Sequence, residues 1–467
     1  MKSCREAIWT CLLLVALLAA ALPARAGSEF AVCTAPGYQY QPAVSGQFVV
    51  WVDSRNDTSG NDETHIYAYD LSAGQEFPLV AADGWQASPA ISGDLLAWED
   101  ARGGIYGRNL PAGVEFLVSG TGRNPALSGS ILVSEDFRNR SVSGADVYGH
   151  DLSAAREFPI CVAPDWQWDP AISGNTVVWA DWRNRGTTSL DIYGYDLSSG
   201  QEFPVAVKPD LQMAPAVSGN MVVWEDHRNY FTSGADIYGC DLSTGQEILI
   251  CGQPDYQYVP AISGNIVVWV DMRNDPGDWS NTDIYGYDLS TGEEFPICTA
   301  PGSQEEPAVF GDIVVWRDWR NDSGDWSNSD IYGYRLELLQ PDSVVFEPPL
   351  AGNRLTLRSG RTLPIKFHLV DSAGNPILER RNVSLEVSGL GPRGTSTIHI
   401  FSLADETLRF DASSSPPHYQ ANFHTRRGLQ ELGGRFCAVV KQEGIPIGSV
   451  CFELVEAGSA ARGGRLP

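Results

Sequence analysis

Seven times along the chain an aspartate is followed two positions later by an arginine: Asp53 and Arg55, Asp100 and Arg102, Asp136 and Arg138, Asp181 and Arg183, Asp226 and Arg228, Asp271 and Arg273, Asp318 and Arg320. In an extended strand, residues two apart share a face, so each pair can hold a salt bridge or satisfy a buried polar neighbour. Catalysis needs a place where repeats differ, so a feature kept in every copy is read as scaffold, bonding sheet to sheet. Acid-rich loops follow the last two pairs. Asp275, Asp278, Asn281 and Asp283, and again Asp322, Asp325, Asn328 and Asp330, place several oxygens within a few residues. Such oxygens suit calcium, although the spacing is not that of an EF-hand; the same residue types also build solvated turns. A third set is aromatic: Tyr38, Trp85, Trp166, Trp168, Tyr256 and Tyr258, near glutamines such as Gln86, Gln167 and Gln257. Flat rings beside acids could hold a sugar or a peptide; the alternative is packing between sheets.

The elements that must carry these residues follow from a repeat. The shared aspartates are 47, 36, 45, 45, 45 and 47 residues apart, a period proper to propeller arrays. Residues 260–298 show the unit: a short run after Pro260, a β-branched and aromatic run at 266–271, an alternating run at 284–289, a Ser290-Thr291-Gly292 turn, and a last run at 294–298. Four such runs make one antiparallel blade. In a meander, the second-to-third loops and the inter-unit connections emerge on one face, which groups the acids with the aromatics. Residues 29–33 match the fourth run of a unit, and the seventh unit lacks that run. A ring sealed by strands from both ends is expected, with no open edge. The third unit is degenerate, with Ser134 where the others carry tryptophan.

The chain has 467 residues and a formal net charge of −26. Residues 27–336 hold 44 acidic and 15 basic side chains, a net of −29. That balance disfavours nucleic acid and favours cations or cationic partners. Residues 1–26 read as a secretory signal peptide, and no other stretch reads as a membrane span. An exported location (periplasmic, extracellular or cell-surface) is expected. Of nine cysteines, Cys437 and Cys451 flank an apparent hairpin and are the best disulfide pair; Cys240 and Cys251 are a weaker pair. Residues 339–350 read as a proline-containing linker, 351–456 as about seven short strands of a small β-sandwich, and 457–467 as a disordered tail. The fold class is all-β: a seven-bladed propeller over 27–338, then the sandwich.

Two resemblances accompany this reading. Pro260-Ala261-Ile262-Ser263-Gly264-Asn265 and Ile284-Tyr285-Gly286-Tyr287-Asp288-Leu289-Ser290-Thr291-Gly292 resemble the TolB-type propeller repeat. Pro364-Ile365-Lys366-Phe367, with Asp371 and Gly374-Asn375-Pro376, resembles the PxKF-type module, which implies an immunoglobulin-like sandwich. No Gly-x-Ser-x-Gly elbow is present. His65, His150 and His227, the histidines of the repeat region, fall at non-equivalent positions. The expectation is a monomeric, non-catalytic binding protein that takes a protein or glycan on the propeller face. The alternatives are a carbohydrate-active glycosidase or lyase and a calcium-dependent adhesion protein.

Overall fold

The computed structural model describes residues 27–57, 63–274, 280–336, 343–347, 362–370, 376–377, 383–391, 394–402, 408–411, 418–424, 435–442 and 445–453. The signal-peptide and tail readings, with Asp275 and Asp278, lie outside these residues. The described residues are all-β, in two compact units that part after Leu336. No described helix is long and apolar enough to cross a membrane.

In the first unit the strands form four-stranded antiparallel sheets. The first sheet runs Gln39–Ser45, Phe48–Asp53, His65–Asp70 and Gln75–Val80. The order recurs six times, and the last sheet is Gln304–Phe310, Ile313–Asp318, Asp330–Leu336 and then Gly27–Cys33. Gly27–Cys33 pairs antiparallel with Asp330–Leu336, joining the two ends of the unit as the repeat phase requires. First strands of successive sheets adjoin one another, and the last of them adjoins the first. Second strands such as Ile266–Asp271 are buried on both faces. Each is covered by its neighbours in the cycle, which is why the apolar run is continuous rather than alternating.

The first strand is longer than its sequence suggests. Where Pro260 reads as the start, the strand is Gln257–Ser263 and the proline lies inside it, within a bulge. The residue before the proline takes a left-handed conformation in every sheet: Gln41, Ser88, Asn124, Asp169, Ala214, Val259 and Glu306. Proline has no N–H for the ladder and is tolerated at a bulge. For the β-branched Val259, at φ 51, this backbone costs about 1–3 kcal/mol.

The second unit has two sheets. One orders Ser343–Phe346, Thr362–Val370, His418–His424 and Leu408–Asp411, with Pro376–Ile377 beside Thr362–Val370. The other orders Gly394–Ser402, Val383–Gly391, Arg435–Gln442 and Ile445–Glu453. Alternate residues of both supply one core, including Leu363, Ile365, Phe367, Leu385, Val387 and Phe436. Phe423 of the first sheet meets Phe401 and Phe436 of the second. Ser343–Phe346, inside the stretch read as linker, is a paired strand.

Candidate functional site

The Asp-x-Arg pairs close mainly within each sheet, rather than between sheets as their spacing suggests. The aspartate ends the second strand and the arginine begins the loop, so the arginine N–H and guanidinium turn back onto the carboxylate. In the first sheet, Arg55 N and Nε each lie 2.9 Å from Asp53 Oδ1, and Nη2 is 2.6 Å from Oδ2. The guanidinium lies over the Tyr67 ring at 4.2 Å and reaches Glu76 of the fourth strand at 2.5 Å. All seven sheets repeat the arginine–tyrosine stacking, at 3.9–4.2 Å. In the last sheet Glu29 of the N-terminal strand takes the glutamate's place, 2.6 Å from Arg320 Nη1. Four arginines also contact a thiol of the preceding sheet: Arg55 with Cys33, Arg183 with Cys161, Arg273 with Cys251 and Arg320 with Cys298. Burial pushes the Cys33, Cys161 and Cys298 thiols up to about 12, so they stay neutral and unreactive at ordinary pH.

Each buried carboxylate needs a further donor. In six sheets it is the indole two residues earlier, as in Trp269 Nε1 to Asp271 Oδ2 at 2.8 Å. In the third sheet Ser134 is too short, and Thr121 Oγ1 donates to Asp136 Oδ2 at 2.8 Å instead.

Acids gather on the inner strands beside this degenerate sheet. Asn124 N–H donates to Glu99 Oε1 at 2.9 Å, and Asn124 Nδ2 reaches both Glu135 Oε1 at 3.3 Å and Asp169 Oδ1 at 3.2 Å. Asp169 N–H donates to Glu135 Oε1 at 3.1 Å. Burial lifts the Glu135 carboxyl to about 7; the Asp169 and Glu99 charges add to this, and the two hydrogen bonds oppose it. Burial also raises Asp169, with Glu225 adding to it, although its side chain keeps contact with solvent. Glu225 in turn lies 2.6 Å from His227 Nε2. Sequence reading missed this group, because its members come from four sheets. The Ser134 substitution was the only signal nearby.

The six aromatic candidates do not come together as one site. Tyr38 and Trp85 line a cleft of about 660 Å³ with Tyr40, Ser54, Asp57 and Thr64, and are 39% and 42% exposed. Tyr38 also packs edge-on to Trp319 and donates its hydroxyl to the Trp326 carbonyl at 2.5 Å. Trp166 and Trp168 pack on each other, with Phe137 and Trp182 on either side. Tyr256 meets Tyr230. Tyr258 is half-buried, its phenol pushed up by burial and by the Glu305 charge. The connection glutamines are structural: Gln86 and Gln167, both buried, donate to carbonyls of their own connections.

The calcium candidates are engaged locally. Asp322 accepts four backbone N–H groups of its own loop, from Gly324, Trp326, Ser327 and Asn328. Asp325 accepts the Ser323 and Ser327 hydroxyls, while Asp283 and Asp330 accept Asn274 and Asn321. Asn281 and Asn328 brace glycines of the next connection, Gly302 and Gly37. Among the described residues no three acidic, histidine or cysteine side chains gather as a metal site. Cys240 and Cys251 are both free. Their strands place Cys251 opposite Ile237, out of register for a bridge. Cys437 is disulfide-bonded, and its Cα partner across the hairpin is Cys451.

No family model and no curated protein matches the chain. Among solved structures, TolB from Acinetobacter baumannii is 17% identical over 56% of this chain and 66% of its own length, at a TM-score of 0.40. An oligogalacturonate lyase from Vibrio parahaemolyticus is 11% identical over 68% of this chain and 98% of its own, at 0.47. The β-propeller domain of the Trilobed protease from Pyrococcus furiosus, described as having an open velcro topology, is 15% identical over 64% of this chain and 94% of its own, at 0.50. With the four-stranded antiparallel sheets above, this likeness shows that the first unit has the β-propeller fold.

Proposed function

We propose that this chain is an exported, monomeric, non-catalytic binding protein. Its ring, of seven blades over 27–338, takes a protein or glycan on the loop face; the PxKF-type, immunoglobulin-like β-sandwich over 351–456 is a spacer or attachment module. The closed cycle of first strands supports seven blades, and the shared core of the two sheets supports the sandwich. The observation that carries the binding reading is the cleft with Tyr38 and Trp85 on its walls, each about two-fifths exposed. Exposed rings at the mouth of a concave surface are where recognition sites are found. Calorimetry of the full chain against panels of oligosaccharides and peptides tests this. Binding that Trp85→Ala weakens is expected, and binding indifferent to that change would refute the site.

A second reading, a carbohydrate-active enzyme, is favoured by Glu135 and Asp169. A carboxyl raised to about 7 beside a second carboxyl is a pairing suited to acid–base work on a glycosidic bond. New reducing ends from any polysaccharide, abolished in Glu135→Gln, would establish it. The calcium-dependent adhesion reading rests on the sequence of the two acid loops, and heat on calcium titration decides it.

A further inference from the structure

We infer that the junction between the third and fourth sheets binds a hard cation of calcium's size, held by Ser143 Oγ, Asp146 Oδ1 and Gln167 Oε1. The three residues are 8%, 0% and 0% exposed, and none of these oxygens has a hydrogen-bond partner among the described residues. Asp146 opens the third strand of its sheet, and its other oxygen, Oδ2, accepts Asn139 Nδ2 at 2.8 Å. Gln167 N–H donates to the Ala145 carbonyl at 2.8 Å, which sets the glutamine beside Asp146. Its Nε2 is engaged by the Ala163 and Asp165 carbonyls at 3.4 and 2.9 Å, and Oε1 is left as an acceptor without a donor.

The junction between the fourth and fifth sheets supplies what this one lacks. There Thr188, in the serine's place, donates to Asp191 Oδ2 at 2.8 Å. The Lys208 N–H lies 3.3 Å from Gln212 Oε1 and also acts on the Asp191 carboxylate, so the two acceptors of a junction face a common point. Between the third and fourth sheets the corresponding N–H, of Ala163, turns to the Cys161 thiol instead. Among the described residues three such oxygens coincide only here; Asp236 Oδ1 and Gln257 Oε1 keep two of them between the fifth and sixth sheets.

Charge selects a cation over a water. Asp136 lies directly opposite Asp146 across the ladder, and like charges so placed repel. Arg138 is engaged by Asp136 and Glu157, and among the described residues no salt bridge reaches Asp146. A water would satisfy the oxygens and leave the buried charge, whereas a cation answers both. One carboxylate among neutral oxygens suits calcium at the weak end of its range, with a Kd of about 10⁻⁴–10⁻³ M. These donors are separate from the acid loops near Asp278 and Asp325, and the site is independent of what the ring binds.

Calorimetric titration of the full chain with calcium chloride tests the inference. Heat at that affinity is expected, weakened at least about tenfold by Asp146→Asn and several-fold by Ser143→Ala. Ser143→Ala removes only the partnerless hydroxyl and leaves the Asn139 bond to Asp146, so it decides the matter even if Asp146→Asn does not fold. No heat, the result for a bound water or a proton shared by Asp146 and Gln167, overturns the inference. Heat unchanged in both variants also overturns it. Heat lost only in Asp325→Ala does so too, and places calcium in the acid loops instead.

Discussion

Replacing Glu135 with glutamine should make the ring more stable, and only at higher pH. The carboxyl is 9% exposed and titrates at about 7 in the fold, against 4.5 for an ordinary glutamate. Below 4.5 the folded and unfolded chains both hold the proton, so folding neither gains nor loses from it. Between 4.5 and 7 the unfolded chain releases the proton while the fold keeps it, and stability falls as pH rises. Above 7 both forms are ionised and the full penalty is present. At 1.36 kcal/mol per pH unit, that penalty is about 3 kcal/mol. Glutamine keeps an acceptor for Asn124 Nδ2 and the Asp169 N–H, and carries no charge at any pH. With about 2.1 cal/mol/K per residue over about 310 residues, 3 kcal/mol is about 5 °C in Tm. Thermal melts of wild type and Glu135→Gln should therefore coincide near pH 4.5 and separate to about 5 °C at pH 8, the variant higher. A gap that does not change with pH, or a variant that melts lower at pH 8, would refute the reasoning.

Three further outcomes follow from the packing. A Cβ at Gly333 would sit 2.6 Å from Phe30 Cζ, so Gly333→Val should cost about 1–3 kcal/mol and loosen the N-terminal strand, seen as faster protease cleavage near residues 27–36. Thr121→Val removes a donor to the buried Asp136 and Trp269→Phe one to Asp271; each should cost about 1–3 kcal/mol by denaturant melts, showing that the two donors are equivalent. Native maleimide labelling should spare Cys33, Cys161, Cys251 and Cys298, while non-reducing peptide mapping should recover Cys437 joined to Cys451, whose reduction lowers the second unit's stability by about 2–4 kcal/mol.

The repeat, its four-run unit and the orphan run at 29–33 were legible because strand periodicity and turn residues are local signals. The phase of the repeat then demanded that the two ends meet, as Phe30 on Gly333 and Glu29 on Arg320 now do. Other features depend on through-space neighbours on adjoining strands, 15 to 45 residues away, and the repeat pattern does not report them. Asn124 touches Glu99 and Asp169 from the sheets on either side, so the acidity of Glu135 exists only once those strands adjoin. Thr121 could be recognised as the replacement for a missing indole only after Asp136 was seen beneath it. The aromatic candidates look alike in sequence, yet ring closure and loop composition separated them. Trp166 was packed among rings and capped by an arginine and Tyr38 was packed edge-on against Trp319, whereas Trp85 was left exposed on the cleft. Sequence determined which face carries the rings; through-space packing decided which of them stay available.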